Sequence, residues 1–137
     1  MTSEEMIQVA KNGYANFGRG DIAAILETCD ENIEWITPDL GVPGGGISRG
    51  RAGVAQFFQQ IGDTWTFQAF EPKNYIAGGN QVVAQGSYTA TSKATGKQAS
   101  ADWAMVWTFG ANGKLVQFQE YTDTATLRDA VTAASAA

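Results

Sequence analysis

The chain has 137 residues, a net charge of −5, no histidine and one cysteine. This length predicts a single domain over residues 1–137. The charge argues against nucleic acid and anionic membrane surfaces as partners, because both require a basic face. The lack of histidine argues against a metal site and leaves carboxylates and tyrosines for any acid/base chemistry.

Apolar residues recur at helical spacing near the start of the chain. They predict a first helix over residues 3–18, with Thr2 and Glu5 forming a capping box. Asp21 is placed to start a second helix, and Cys29 belongs to the buried face of that pattern as a small apolar side chain. We therefore expect two consecutive helices before any strand.

A short strand is predicted over residues 32–37, where apolar and polar side chains alternate. A loop over residues 38–50 follows, and it contains two prolines and three consecutive glycines. Apolar residues at helical spacing then predict a third helix that ends at Gly62.

The second half of the chain alternates with a period of two and predicts four strands joined by hairpins. The strands span residues 65–77, 81–92, 98–109 and 114–122. Pro72 predicts a bend or a sheet edge, and Asn112-Gly113 predicts a type I′ turn. Asp123 is placed to cap a short final helix, and the tail from Ala133 to Ala137 is expected to fray. Helices that precede an antiparallel sheet indicate an α+β fold.

Several short motifs occur in a defined order. They are Gly20-Asp-Ile-Ala-Ala-Ile-Leu, Glu34-Trp-Ile-Thr-Pro, Arg49-Gly-Arg-Ala-Gly-Val-Ala-Gln-Phe-Phe, Trp107-Thr-Phe-x3-Gly-Lys-Leu and Glu120-Tyr-Thr-Asp. Together they resemble the nuclear transport factor 2-like (NTF2-like) superfamily over roughly residues 5–130, and most closely its SnoaL-like, ketosteroid isomerase-related proteins. The resemblance implies a cone-shaped, curved antiparallel sheet wrapped around the N-terminal helices (a cystatin-like roll). It also implies a deep apolar pocket and a homodimer through the convex face.

Glu120 is the first candidate catalytic residue. Val116, Phe118, Glu120 and Thr122 share one face of the last predicted strand, so Glu120 faces the pocket if Phe118 does. Burial there would raise the pKa of Glu120 into the range of a general acid or base. The alternatives are solvent exposure or an ion pair; the candidate cations are Arg49, Arg51 and Arg128.

Asp123 and Tyr14 are the other two candidates. Asp123 caps the final helix or, by resemblance to epoxide hydrolases and SnoaL-like cyclases, is a catalytic aspartate. Tyr14 resembles the first-helix tyrosine of ketosteroid isomerases, and Tyr14 or Tyr121 would donate a hydrogen bond to the ligand. Thr37 and Met105 stand where those isomerases have aspartates, so the resemblance does not extend to steroid isomerisation.

Large apolar side chains are the candidate pocket walls, and they favour a flat apolar ligand. They are Trp35, Phe57, Phe58, Trp65, Trp103, Met105, Trp107 and Phe118.

Three functional interpretations remain open. The first is an isomerase, cyclase or hydratase that needs no cofactor and acts on a small apolar carbonyl compound. The second is a non-catalytic protein that binds a small hydrophobic molecule. The third is a dimeric interaction domain whose cone is filled by its own side chains. For each we expect a cytoplasmic protein, because the N-terminal segment lacks the basic and apolar regions of a signal peptide.

Overall fold

The structure is a computed structural model that describes residues 1–133, so the expectation for the tail falls almost entirely outside the described residues. Within that range the chain forms four helices and six strands. In order they are α1 (Ser3–Gly18), α2 (Ile22–Thr28), β1 (Cys29–Thr37), β2 (Gly46–Arg49), α3 (Gly50–Thr64), β3 (Trp65–Gly78), β4 (Gln81–Ser92), β5 (Gln98–Phe109), β6 (Leu115–Thr122) and α4 (Thr124–Val131). The predicted α+β class is confirmed.

Capping side chains set the helix starts that the sequence predicts. Thr2 accepts the backbone N–H of Glu5 at 3.1 Å, and the Glu5 carboxylate accepts that of Thr2 at 2.8 Å. Asp21 and Asp123 cap α2 and α4 in the same way. Cys29 is a correction: it is fully buried as expected, but it begins β1 because α2 ends one residue earlier.

The six strands form one open sheet in the order β2-β1-β6-β5-β4-β3. The expectation of an antiparallel sheet needs one correction, since β1 and β6 pair in parallel. The loop expected over residues 38–50 also contains β2, which pairs with β1 and is reinforced by a 2.8 Å ion pair between Arg49 and Glu34. Four residues are too few to show a period in the sequence.

Two predictions about irregular backbone have different outcomes. The β3–β4 register shifts after Pro72, and β3 is an edge strand, as expected. The turn at Asn112-Gly113 is not type I′, because only Gly113 has a positive φ (77°) and type I′ needs two such residues. The Gly113 amide donates to the carbonyl of Gly110, which gives a type I turn followed by a left-handed glycine.

The helices cover the inner face of the sheet, where the aromatic side chains collect. Two glycines permit this packing. A Cβ atom on Gly13 of α1 would lie 2.5 Å from the Trp107 ring, and one on Gly86 of β4 would lie 2.5 Å from the Trp103 ring and 2.3 Å from the Glu71 carbonyl oxygen. The absence of these two side chains lets helix and strand approach the large rings.

We predict that Gly86→Ala destabilises the fold by about 1–3 kcal/mol, because the methyl group overpacks the Trp103 ring and the β3 backbone. Gly78→Ala is the matched control, since nothing lies within 4 Å of its added Cβ atom. Chemical denaturation would measure both free energies of unfolding. Equal stability of the two variants would contradict the packing role of Gly86.

Candidate active site

A cavity of about 110 Å³ lies between the inner face of the sheet and the helices. Seven of the eight predicted wall residues line it: Trp35, Phe57, Phe58, Trp65, Met105, Trp107 and Phe118. Trp103 does not line the cavity, and its ring packs behind the wall against Tyr14 and Phe70, with centroids 5.4 and 5.3 Å away. The cavity leaves space unfilled, which argues against a cone that its own side chains occupy completely.

Aromatic stacking builds one side of this wall. Trp35 on β1 and Phe118 on β6 are cross-strand partners, and their rings stack with centroids 3.9 Å apart. Trp107 meets the same Phe118 ring edge-on at 5.4 Å. Such pairs add stabilisation beyond area burial, so this part of the wall is rigid and flat.

Several further residues complete the wall and were not singled out from the sequence. They are Gly13, Phe17, Ile25, Thr37, Pro38, Leu40, Gly44, Ile61, Phe67, Phe70, Tyr88, Ala90 and Leu127. Tyr88 alternates with buried Ala84 and Ala90 on β4, so the period of two could have identified its face. Leu40 and Gly44 lie in a loop whose position depends on distant contacts, which no local pattern reveals.

That loop is tied to two helices. Arg128 of α4 donates to the Asp39 carbonyl oxygen at 3.0 Å, and the Thr64 hydroxyl at the end of α3 donates to the Pro43 carbonyl oxygen at 3.2 Å. Asp39 itself forms an Asx turn by accepting the Gly41 amide at 2.9 Å. These contacts hold the loop as one side of the cavity.

Glu120 lines the cavity, as the alternation along the last strand predicted. On β5 its cross-strand partner is Met105. On β1 the register pairs Ile36 with Gln119, so Thr37 comes next to Glu120. Because neighbouring strands lie about 4.8 Å apart, the Thr37 hydroxyl and the Met105 thioether flank the Glu120 carboxyl group, one on each side.

The three cations that might have paired with Glu120 are engaged elsewhere. Arg49 pairs with Glu34, Arg51 donates to the Cys29 carbonyl oxygen at 2.9 Å, and Arg128 holds the loop. Burial without a cationic partner raises the pKa of Glu120 to about 7, against the opposing effect of a hydrogen bond from Tyr88. Near neutral pH both protonation states are therefore populated, as a general acid or base requires.

Tyr88 connects Glu120 to a hydrogen-bond chain. Its hydroxyl lies 3.1 Å from Glu120 Oε2 and 3.1 Å from Thr122 Oγ1. Thr122 donates to the Asp102 carbonyl oxygen at 2.8 Å, so its oxygen offers only lone pairs to Tyr88. Ionised Glu120 accepts the hydrogen bond from Tyr88, whereas neutral Glu120 can donate to Tyr88 while Tyr88 donates to Thr122. Burial raises the pKa of Tyr88, which therefore keeps its proton at neutral pH.

Tyr14 also lines the cavity. Its hydroxyl accepts the indole N–H of Trp107 at 2.9 Å and donates to the Met105 sulfur at 3.3 Å. Burial raises the pKa of Tyr14, so the hydroxyl stays protonated. Because a thioether is a weak acceptor, a ligand oxygen could replace it as the partner of that proton.

Two predicted candidates lie away from the cavity. Asp123 is exposed and caps α4 by accepting the Thr126 amide at 3.1 Å and the Thr126 hydroxyl at 2.6 Å. These bonds lower the pKa of Asp123. Tyr121 alternates with Glu120, and its side chain is 53% exposed on the outer face of the sheet. The structure therefore brings together Glu120 and Tyr14, but neither Asp123 nor Tyr121.

Among residues 1–133 no group of three histidine, cysteine, aspartate or glutamate side chains could hold a metal ion. Across the same residues, no helix combines the length and hydrophobicity that crossing a membrane requires.

We predict that Glu120→Gln changes the pH dependence of stability. The pKa of Glu120 rises from 4.5 in the unfolded chain to about 7 in the fold, so its favourable contribution is complete below pH 4.5 and is lost as pH rises through 7. The free energy of unfolding of the wild type should therefore fall relative to that of the variant by roughly 3 kcal/mol over this interval.

Denaturation at a series of pH values would measure this difference, and Asp123→Asn is the control. The pKa of Asp123 is lowered from 3.8, so its stabilising effect is present above that value and is lost only at more acidic pH. A constant difference between wild type and Glu120→Gln from pH 4 to 8 would contradict the burial of this carboxyl group.

The family and the structural relatives agree with this architecture. The SnoaL-like domain family matches residues 10–118. An NTF2-like protein from Burkholderia xenovorans LB400 is 32% identical, with a TM-score of 0.87 over 96% of this chain and 99% of the other. TerC, co-crystallised with polyporic acid, is 27% identical, with a TM-score of 0.78 over 91% and 96% of the two chains.

A candidate SnoaL-like polyketide cyclase from Mesorhizobium loti shares the fold at 21% identity, with a TM-score of 0.71 over 88% of this chain and 99% of the other. A search of curated proteins found no significant match. The family match spans most of the chain, and the NTF2-like protein from B. xenovorans shares the fold over nearly the whole of both chains. The chain therefore belongs to the SnoaL-like family of the NTF2-like superfamily.

Proposed function

We propose that this protein is an isomerase, cyclase or hydratase that needs no cofactor and uses Glu120 for acid/base catalysis on a small apolar carbonyl compound. The observation that carries the proposal is a carboxyl group with a pKa of about 7 in the wall of an aromatic cavity. A carboxyl group in that range can remove a proton and return it at neutral pH.

The proposed chemistry starts with proton removal from the carbon next to the carbonyl group. Ionised Glu120 takes this proton, the C–H bond breaks, and its electron pair moves to give an enolate. Glu120, now neutral, returns the proton to another carbon of the conjugated enolate. In the cyclase case the enolate carbon instead attacks a carbonyl carbon in the same molecule, the π bond of that carbonyl breaks, and its oxygen takes the proton from Glu120. Tyr14 would donate a hydrogen bond to a polar group of the ligand, since among residues 1–133 its acceptor is a thioether, which accepts weakly.

The relatives support a small organic ligand. TerC was crystallised with polyporic acid, and another relative is named as a candidate polyketide cyclase. The ring-lined wall fits a flat ligand by stacking. The volume of about 110 Å³ approaches that of cavities that accept a single benzene ring, so the free protein has room for about one ring.

A second candidate function is non-catalytic binding of a hydrophobic molecule. It is favoured by the hydrogen bond that Tyr88 gives to Glu120, because a carboxyl group bonded in this way also fits a purely structural role in the wall. In that case a ligand would bind equally well to wild-type protein and Glu120→Gln, and no turnover would occur. Acetophenone, which has one ring and no charge, is one probe for such binding.

We predict that Glu120→Gln lowers the rate of deuterium exchange at the acidic carbon of 2-indanone by about a hundredfold or more. The exchange in D2O, followed by NMR, requires only the proton-removal step. The wild-type rate should rise with pH through about 7 as Glu120 ionises.

Asp123→Asn is the comparison for this assay, because it makes the same carboxyl-to-amide change outside the cavity and keeps the helix cap. Its rate should remain within about twofold of the wild type. Equal rates for Glu120→Gln and the wild type across a panel of aryl ketones would exclude Glu120 as the base and leave the binding function.

We also propose that the protein is a homodimer that associates through the outer face of the sheet. Cross-strand partners there form a row across all six strands: Ile47, Ile36, Gln119, Val106, Val83 and Ile76. The row carries no charge, although the chain as a whole is acidic, and Ile47 and Ile76 are more than half exposed. An uncharged face with exposed apolar side chains of this kind suits contact with a second copy.

We predict that Val106→Lys, in the middle of this row, converts a dimer to a monomer, because it would bury a charge at the contact. Light scattering after size exclusion should give twice the 14.6 kDa chain mass for the wild type and the mass of one chain for the variant. Gln98→Lys, exposed on the same strand, should remain dimeric. A monomeric wild type at micromolar concentration would exclude this interface.

A further inference from the structure

Two residues that line the cavity each carry a buried polar atom that has no hydrogen-bond partner among residues 1–133. The atoms are the indole nitrogen of Trp35 and the hydroxyl oxygen of Thr37. The side chains are only 4% and 7% exposed, respectively. The remaining unpartnered atom of this kind in that range, the Trp103 indole nitrogen, belongs to a residue behind the wall. Buried polar groups are normally paired, so two in one cavity call for an explanation.

The positions of these residues explain why the protein provides no partner. Trp35 and Thr37 are two residues apart on β1 and therefore share its inner face. On one side of Thr37 the paired residue is Gly46, which has no side chain. On the other side comes Glu120, whose carboxyl group is bonded to Tyr88 instead. The Trp35 ring is held in place by stacking on Phe118.

The chemistry of the two groups restricts what could pair with them. An indole N–H can only donate, and a hydroxyl can donate or accept. A partner common to both must therefore accept hydrogen bonds. Of the residues that the structure describes, no lysine or arginine lines the cavity, and Glu120 is close, so an anionic partner would be repelled and left uncompensated. These conditions select a neutral acceptor such as a carbonyl oxygen.

We propose that Trp35 and Thr37 form an oxygen-binding subsite that receives the carbonyl oxygen of a neutral aryl ketone or a related one-ring carbonyl compound. This inference rests on the proposed function of the cavity and adds to it the position of the ligand. With its oxygen at Thr37, the ligand presents the adjacent carbon to Glu120 on the neighbouring strand. Its ring lies against the aromatic wall.

Equilibrium binding of two compounds of equal shape tests the subsite. Acetophenone has a carbonyl oxygen where α-methylstyrene has a CH2 group, so only acetophenone can accept a hydrogen bond. We expect Thr37→Val and Trp35→Phe each to weaken acetophenone binding by about three- to tenfold relative to α-methylstyrene, the loss typical of one neutral hydrogen bond. Protein-detected NMR titration gives the dissociation constants. In the ratio of the two dissociation constants, any effect of the substitution on packing that is common to both compounds cancels.

Matched controls use the same substitutions away from the cavity. Trp103→Phe removes an unpartnered indole N–H that does not line the cavity, and Thr89→Val removes a hydroxyl that bonds to Ser100 on the outer face. Both should leave the ratio unchanged within about twofold. An unchanged ratio in Thr37→Val and Trp35→Phe would overturn the subsite, as would a lack of wild-type binding to acetophenone at millimolar concentration.

Thermal stability provides an independent readout. Thr37→Val replaces an unpartnered hydroxyl with a methyl group of similar shape, so its Tm should rise by about 2–8 °C. A fall in Tm would mean that the hydroxyl has a structural partner, and it would overturn the assignment. These measurements need no turnover. If the ratio changes in Thr37→Val and Trp35→Phe but Glu120→Gln keeps the wild-type rate of deuterium exchange, the subsite stands and the proposed catalysis is rejected. If the ratio does not change but Glu120→Gln loses exchange, only the subsite is rejected.

Discussion

The parallel pairing of β1 with β6 is the constraint on which the cavity depends. It joins β1, which lies inside the sheet between β2 and β6, to β6 itself, and it places Trp35 opposite Phe118. The Trp35 and Phe118 rings stack face to face with centroids 3.9 Å apart, which stabilises the pairing of the two strands. Two residues further, the same register brings Thr37 beside Glu120. A shift of one residue would turn Glu120 to the outer face and Tyr121 inward.

Around this pairing the molecule surrounds one ionisable group with apolar side chains. Met105 flanks Glu120 on β5, aromatic rings line much of the same cavity, and Arg51 and Arg128 donate to backbone carbonyl oxygens elsewhere. Desolvation therefore outweighs the single hydrogen bond from Tyr88, and the pKa rises to about 7. The free-energy cost of burying the ionised carboxylate raises its pKa, and the proposed chemistry uses this raised pKa.

The unpaired atoms of Trp35 and Thr37 belong to the same arrangement. A cavity built only for packing would pair or omit such groups, because an unmade hydrogen bond costs more than an absent one. A ligand oxygen would complete the wall. The proposed proton chemistry and the proposed oxygen subsite would thus be two parts of one geometry, set by neighbouring residues on β1 and β6.

The sequence by itself determined the four helices and five of the six strands, but not β2, and it determined which residues share the inward face of the last strand. Helical spacing, capping residues such as Thr2 and Asp21, and the alternation through Phe118 and Glu120 are local signals, and each was sufficient for its prediction. The alternation predicted that Glu120 faces the pocket without any knowledge of its neighbours.

Only the tertiary structure decided what surrounds that residue. Tyr88 reaches Glu120 from 32 positions away, and Tyr14 contacts Met105 across 91 positions. Asp123 follows Glu120 closely in sequence, yet the end of β6 turns it to solvent as a helix cap. Trp103 shares a strand face with Trp107 but lies behind Tyr14 and Phe70. A local period fixes which way a side chain points, whereas strand pairing between distant segments fixes what it meets.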